Sequence, residues 1–407
     1  MTGAARRSGR VAIVTGMIAT FPVGGVVWDY IQYALGLERL GFDVYYLEDT
    51  GWQTYDPRLR RYVDDPQYGV DYLARNLPLL SATLGSRWFF RAMDGRCHGM
   101  DATDFARIAA GADVMVNVSG GTLLRDEYLE CPRKILIDTD PGFNHFRNYP
   151  RMDEQPGWGG GRGYRQHDYF FTYAERMGRD DCVLPALGLP WQPTRPPVML
   201  DLWHPAPPGA AWTTVLTWNN RAPVIEHNGI RYGTKEMEFE RIQTLPRLVP
   251  YRLEMAAGGT DRPEDEVEAR SWYPTRPRWE ALGWSVVDAH TVSATPSLYQ
   301  RYVEASRGEF SVAKNVYVAT RSGWFSCRSV CYLAASRPVV VQDTGFSELI
   351  PCGDGLLAFS SLEEAAENLR RVEADYPHHQ AAAREVACRY FGSDAVLGDM
   401  LARVGLG

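Results

Sequence analysis

The stretch Gly308–Glu348, GEFSVAKNVYVATRSGWFSCRSVCYLAASRPVVVQDTGFSE, decides the fold. Glu309–Ala313 reads as a buried strand, and a polar, glycine-bearing loop follows it. From about Ser326 to Ala335 the pattern is helical, with Val330, Leu333 and Ala334 on one face. Ser336-Arg337-Pro338 stops that helix, because proline lacks the N–H a helix needs and clashes with the turn before it. Val339-Val340-Val341 then reads as a strand, since three β-branched residues in a row suit a parallel sheet covered on both faces. The order is strand, loop, helix, strand, loop, helix. In such a unit ligands bind at the carboxyl ends of the strands, where helix N-termini aim unpaired N–H groups and a positive dipole end outward. Two helix starts compete for that role, one at Ser326 and one at Thr344-Gly345-Phe346-Ser347. Lys314, Arg321 and Arg328 supply cations for a diphosphate cradle there.

The run resembles the C-terminal, donor-binding half of GT-B glycosyltransferases, in particular a bacterial group related to the spore-maturation-type transferases. The residues that carry the resemblance are Arg328, Ala334-Ala335-Ser336-Arg337-Pro338-Val339-Val340 and Thr344-Gly345-Phe346. It extends from about Tyr302 to Val372, while the first half of the chain matches in general pattern only. Many GT-B enzymes hold the nucleotide ribose with a glutamate on this helix, and Cys331 stands at that place here. The resemblance implies an α/β, GT-B architecture of two Rossmann-like domains facing across a cleft. It also implies a nucleotide-diphosphate sugar as co-substrate, with no further cofactor and no metal. On the donor side it points to Asn219, Lys314, Ser326, Arg328, Thr344, Gly345 and Phe346. Glu348 then faces the donor hydroxyls, ahead of Glu309.

The 407 residues are enough for two domains, and 45% hydrophobic and 12% aromatic residues supply large cores. A net charge of −7, with no block dense in lysine or arginine beyond Arg6-Arg7 and Arg10, sets nucleic acid aside as a partner. MTGAARRSGR has no apolar core of signal-peptide length, and no apolar run is long enough for a transmembrane helix, so a cytoplasmic location is expected. The seven cysteines include no C-x-x-C pair, and reduced thiols are the default.

The chain opens as βαβ: a strand at Arg10–Thr15, a helix from about Val26 to Leu40 stopped by Gly41, and a strand at Phe42–Leu47. G-x-G-x-x-G is absent. Gly24 and Gly25, beside the helix start, either let backbone approach acceptor or sugar, or simply make a tight turn. Further strands are expected at Ala112–Val118, Lys134–Asp138 and Tyr169–Tyr173, their polar ends forming one rim of a cleft. Met152–Gly163 is glycine-rich and reads as a surface loop or a cover over a pocket. Eight prolines between Leu184 and Pro208 make a stiff connector. The division is therefore placed at residues 1–190 and 191–407. Strands at Thr213–Trp218, Tyr251–Ala256 and Trp284–Asp288, a helix from Thr234 to about Leu248 and a capping box at Ser361-Leu362-Glu363-Glu364 continue the alternation. The segment His379–Leu406 is long enough to pack back on the first domain.

For an inverting reaction a base must meet the acceptor hydroxyl from the first domain. Asp140 and His145, after the Lys134–Asp138 strand, are the candidates, with His98 a third; a retaining reaction needs none. The acceptor is expected to be a small natural product or a glycan precursor. The alternatives are a nucleotide-sugar epimerase of the same fold and a non-catalytic nucleotide- or sugar-binding protein.

Overall fold

A computed structural model describes residues 9–155, 163–217, 224–258 and 272–407. The first half carries β1 (Val11–Thr15), β2 (Asp43–Glu48), the hairpin β3 (Thr54–Asp56) and β4 (Arg61–Val63), then β5 (Trp88–Arg91), β6 (Cys97–Gly99), β7 (Val114–Val118), β8 (Lys134–Asp138), β9 (Tyr169–Thr172) and β10 (Gln192–Pro193). One sheet runs β10-β9-β8-β7-β1-β2-β5-β6. All its pairings are parallel except β5 with β6. Helices α1 (Gly24–Arg39), α2 (Gln67–Leu80), α3 (Ala102–Ala110), α4 (Asp126–Leu129) and α5 (Tyr149–Glu154) lie between these strands in sequence.

The second half carries β11 (Ala211–Thr217), the hairpin β12 (Ile225–His227) and β13 (Ile230–Tyr232), then β14 (Arg252–Gly258), β15 (Ser285–Asp288), β16 (Gly308–Ser311), β17 (Val339–Gln342) and β18 (Leu356–Phe359). Its parallel sheet runs β15-β14-β11-β16-β17-β18. Its helices are α6 (Lys235–Arg241), α7 (Trp272–Ala281), α8 (Ala289–Ser293), α9 (Pro296–Glu304), α10 (Asn315–Ala319), α11 (Cys327–Ala334), α12 (Leu362–Ala374), α13 (Tyr376–Phe391) and α14 (Ser393–Arg403). Among the described residues no helix is long and apolar enough to cross a membrane.

Each sheet reverses its strand order once, between β1 and β7 and between β11 and β16. Such switch points open a crevice at the carboxyl ends of the strands. The predicted run Val339–Val341 is β17, a buried inner strand between β16 and β18. Several expectations are corrected. The first sheet ends only at Pro193, so a division after residue 190 cuts in front of β10. The helix expected from Thr234 to about Leu248, with Pro246 to kink it or end it early, does end early, at Arg241, and Pro246 lies in a separate short 3₁₀ turn, Leu245–Arg247. The last segment is two helices broken at Gly392. That break lets Val198 exchange backbone bonds with Phe391 (2.8 Å) and Ser393 (3.0 Å). Helix α14 then lies on α1, where Leu397 occupies the space a side chain at Gly36 would need.

The two halves are stitched together in several places. Trp28 Nε1 donates to the Pro296 carbonyl (3.0 Å), and Trp324 Nε1 donates to the Thr139 carbonyl (3.0 Å). Phe146 stacks on Tyr232 of the second hairpin with ring centroids 4.8 Å apart. These contacts bring the carboxyl ends of the two sheets face to face.

Candidate functional site

At the switch point of the second sheet the chain leaves β16 through Ser311-Val312-Ala313 and returns to start α11. Together with Ser326, Arg328 and Gln342 these residues line a small pocket that opens to solvent. Ser326 is the N-cap of α11, yet its side chain caps nothing. The first-turn N–H groups of α11 therefore keep their unused hydrogen-bonding capacity beside the pocket.

Arg328 is held from below. Its Nε donates to Glu309 Oε1 (2.5 Å), Nη1 to the Val215 carbonyl (3.0 Å) and Nη2 to Ser311 Oγ (2.8 Å). A guanidinium has five N–H donors, so the remaining ones stay available to the pocket it lines. Glu309 is fully buried on the central strand, and its second oxygen, Oε2, has no partner among the described residues. Arginine fixed in this way presents a charge that need not reorganise when an anion arrives.

Lys235 completes the set, and sequence reasoning missed it. It is the first residue of α6 and 8% exposed, and its ammonium has no hydrogen-bonding partner among the described residues. Burial pushes its pKa well below the usual lysine value; the charges of Arg328 and Lys314 push the same way, and Glu309 opposes them. Its backbone is fixed by Gly233-Thr234, which pair with Asn315 and Val316 through Gly233 N to Asn315 Oδ1 (3.0 Å) and Val316 N to the Gly233 carbonyl (3.1 Å). One turn on, buried Glu238 accepts from Asn315 Nδ2 and Gln342 Nε2, both at 2.6 Å. The visible signal was a lysine at a helix start, where the dipole disfavours a cation.

Asp29 of α1 faces this assembly from the first domain and was also missed. The Cys327 thiol and the Arg328 guanidinium lie near its carboxyl and favour its charged form. Burial pushes Asp29 up to about 6, against the opposing pull of that thiol and of Arg328. One turn further on both helices Gln32 Nε2 meets Cys331 Sγ at 3.8 Å. The two helices thus run side by side with their starts at the same end.

Of the residues singled out from sequence, Ser326, Arg328 and Phe346 line the pocket. Phe346 is otherwise core, 1% exposed and set edge-on to Phe325. Thr344 and Gly345 shape the turn: Thr344 Oγ1 donates to the Trp324 carbonyl (2.6 Å), and Gly345 adopts φ +95°. Lys314 is drawn away to Asp140, whose carboxylate it meets at 2.5 Å. The expected base Asp140 is therefore already engaged, by Lys314 and by the Tyr317 hydroxyl. His145 is corrected more sharply. It is fully buried, its Nε2 against Asp138 Oδ2 and its Nδ1 against the Pro185 carbonyl, both at 2.9 Å, so neither nitrogen faces the cleft.

Glu348 is likewise taken, by Arg176 and by Arg321 (2.6 Å). Gly24 and Gly25 abut the second domain. A Cβ on Gly24 would lie 2.3 Å from the Thr295 carbonyl oxygen, and Gly25 N donates to Ser293 Oγ (3.1 Å). Their smallness serves close packing there. Asn219, and most of the glycine-rich segment with Trp158, lie outside the described residues.

No family model matches the chain, and no curated protein matches it. Solved structures do. An alpha-glucosyltransferase (AGT) in complex with UDP is 8% identical, over 98% of this chain and 100% of its own, with a TM-score of 0.55. HepE of Anabaena in complex with UDP-glucose is 10% identical, over 97% and 99%, with a TM-score of 0.54. AviGT4, a glycosyltransferase involved in avilamycin A biosynthesis, is 13% identical, over 97% and 96%, at 0.50. Identities this low speak to fold alone, and with the two parallel sheets and their facing switch points they show that this chain has the GT-B architecture.

Proposed function

We propose that the protein is a glycosyltransferase that draws its sugar from a nucleotide-diphosphate donor and belongs with the spore-maturation-type group. The observation that carries this is Lys235. The residue is 8% exposed, its ammonium has no partner among the described residues, and it sits near Arg328 at the uncapped start of α11. Leaving a buried cation unpaired costs several kcal/mol, roughly, and a diphosphate removes that cost. Arg328, Lys235 and the α11 N–H groups would take up the charge that grows on the leaving diphosphate while the anomeric carbon becomes cationic. These fixed charges give the reaction a metal-independent route. The acceptor, a small natural product or a glycan precursor, would enter from the β1 and β7 side of the cleft.

The test is a melting screen of the purified protein with UDP, GDP, TDP and ADP, followed by calorimetric titration of whichever nucleotide stabilises it. Stabilisation follows mass action, and Arg328→Ala and Lys235→Met should each abolish it. Release of the nucleotide from its sugar conjugate should persist in EDTA. No shift with any nucleotide would sink the proposal.

A further inference from the structure

We propose that Asp29 is the proton acceptor of the transfer, taking the proton of the attacking hydroxyl, so that the reaction inverts the anomeric centre. The proposal rests on the nucleotide-sugar reading above. Its first support is position. Asp29 belongs to the first domain, where an acceptor would sit, yet it lies one turn before Gln32, whose amide meets Cys331 at 3.8 Å, and this sets it beside the start of α11, the helix whose N-terminus would meet the diphosphate.

The second support is rigidity. Helix α1 is fixed against the second domain by Trp28 to Pro296 (3.0 Å) and Gly25 to Ser293 (3.1 Å), residues that flank Asp29. One turn later Gln32 is held twice, by Cys331 (3.8 Å) and by the Met199 backbone N–H (2.8 Å). Asp29 cannot turn away from α11 without breaking these bonds. It nonetheless keeps part of its surface open, unlike buried His145, and among the described residues no salt bridge ties it up as Lys314 ties Asp140.

The third support is selectivity of titration. The groups around Asp29 are Tyr30 and Tyr33 on its own helix, Tyr173 after β9, Tyr299 on α9, and Cys327, Cys331 and Arg328 on α11. Burial pushes these tyrosines and thiols above their usual ranges, so they stay neutral where Asp29 changes charge. A carboxyl poised somewhat below neutrality is ionised and still basic enough to accept a proton.

In the step, the acceptor oxygen forms its bond to the anomeric carbon as its proton passes to the Asp29 carboxylate. The bond from that carbon to the diphosphate oxygen breaks, and its electron pair leaves on the diphosphate beside Arg328 and Lys235. With water as acceptor the products are the free sugar and the nucleotide diphosphate, and Asp29 returns its proton to solvent.

The experiment uses the full chain and UDP-glucose, or the glucose conjugate of whichever nucleotide the melting screen selects. Wild type should release α-linked glucose first as the β anomer, read by proton NMR, with a rate that falls below about pH 6. Asp29→Asn, neutral and of the same shape, should bind the free nucleotide within about twofold of wild type and lose 10²-fold or more in turnover. A first-formed α anomer or an undiminished Asp29→Asn rate overturns the assignment while nucleotide binding stands. Wild type that binds no nucleotide overturns the donor reading, and this assignment with it.

Discussion

Lys314 Nζ meets Asp140 Oδ2 at 2.5 Å across the domain boundary, so a cation expected to hold the donor and an acid expected to serve the acceptor neutralise one another. Tyr317 donates its hydroxyl to the other oxygen of Asp140. A diphosphate at α11 must compete with that carboxylate for the lysine. Asp140→Asn should therefore tighten UDP binding by roughly threefold, as expected when one state of an equilibrium is released to the ligand. Because the pair is partly exposed, the same change should lower stability by only about 1 kcal/mol. Calorimetry at fixed ionic strength reads the first effect and urea unfolding the second. An unchanged affinity would show that Lys314 plays no part in donor binding.

Lys235→Met should make the empty protein more stable, by an amount on the order of 1–3 kcal/mol at neutral pH. The wild-type folded state must hold a lysine whose pKa burial has lowered, while the unfolded chain carries an ordinary one. Between those two values the unfolded state binds more protons, so wild-type stability rises with pH across that window. The advantage of Lys235→Met should accordingly shrink as pH climbs toward the ordinary lysine range. Urea unfolding from pH 7 to 10 checks this. A gap that widens with pH would mean that the ammonium has found a partner.

Why Arg328 was legible and Lys235 was not follows from how each is held. Arg328 lies inside a continuous strand–helix–strand pattern, and proline, β-branched and glycine residues mark its boundaries locally. The same local rules located β1, β8, β16 and β17 to within a residue or two. Lys235 reaches the site because Asn315 and Gln342 converge on Glu238 from 77 and 104 residues away. No window of sequence contains that arrangement. Asp29 is equally hidden: on α1 it is one of several polar residues in a largely buried helix, and only the docking of α1 against α11 gives it meaning. For Asp140, His145 and Glu348 the residue type was suitable but the partner was invisible. Each carboxylate or imidazole had been claimed by a distant group.

Glu348→Ala should act on the closed arrangement of the two domains rather than on sugar recognition. Glu348 binds Arg176, whose side chain is 2% exposed, and Arg321 (2.6 Å); Asp181 of the first domain binds the same two arginines at 2.5 and 2.8 Å. The four charges alternate across the domain boundary. Removing Glu348 leaves buried Arg176 with one counter-charge, and the half-exposed position of Glu348 limits the loss to about 1–2 kcal/mol. The ratio of affinities for UDP-glucose and UDP should stay at its wild-type value, and small-angle scattering should report a larger radius in the absence of nucleotide. A selective loss of the UDP-glucose affinity would instead put Glu348 against the sugar.

Asp29→Asn should change the pH dependence of stability in a direction that the raised pKa dictates. The unfolded chain carries an ordinary aspartate near 3.8, and the folded chain one near 6. Below the unfolded value both states are protonated, and burial of the neutral carboxyl carries no charge penalty. As pH rises through the folded value, the native state must accept a buried charge, and that part of its stability is lost. Asparagine is neutral throughout, so the variant escapes the loss. Its stability relative to wild type should grow between pH 4 and pH 7 by about 2 kcal/mol, allowing for the surface that Asp29 leaves open. Urea unfolding at pH 4.5 and 7.5 measures the difference. Saturating nucleotide should enlarge it if the bound diphosphate places a second negative charge near Asp29, because that charge disfavours the carboxylate further. A difference that is flat in pH would place Asp29 in a solvated setting, where the poise required of a base would be missing.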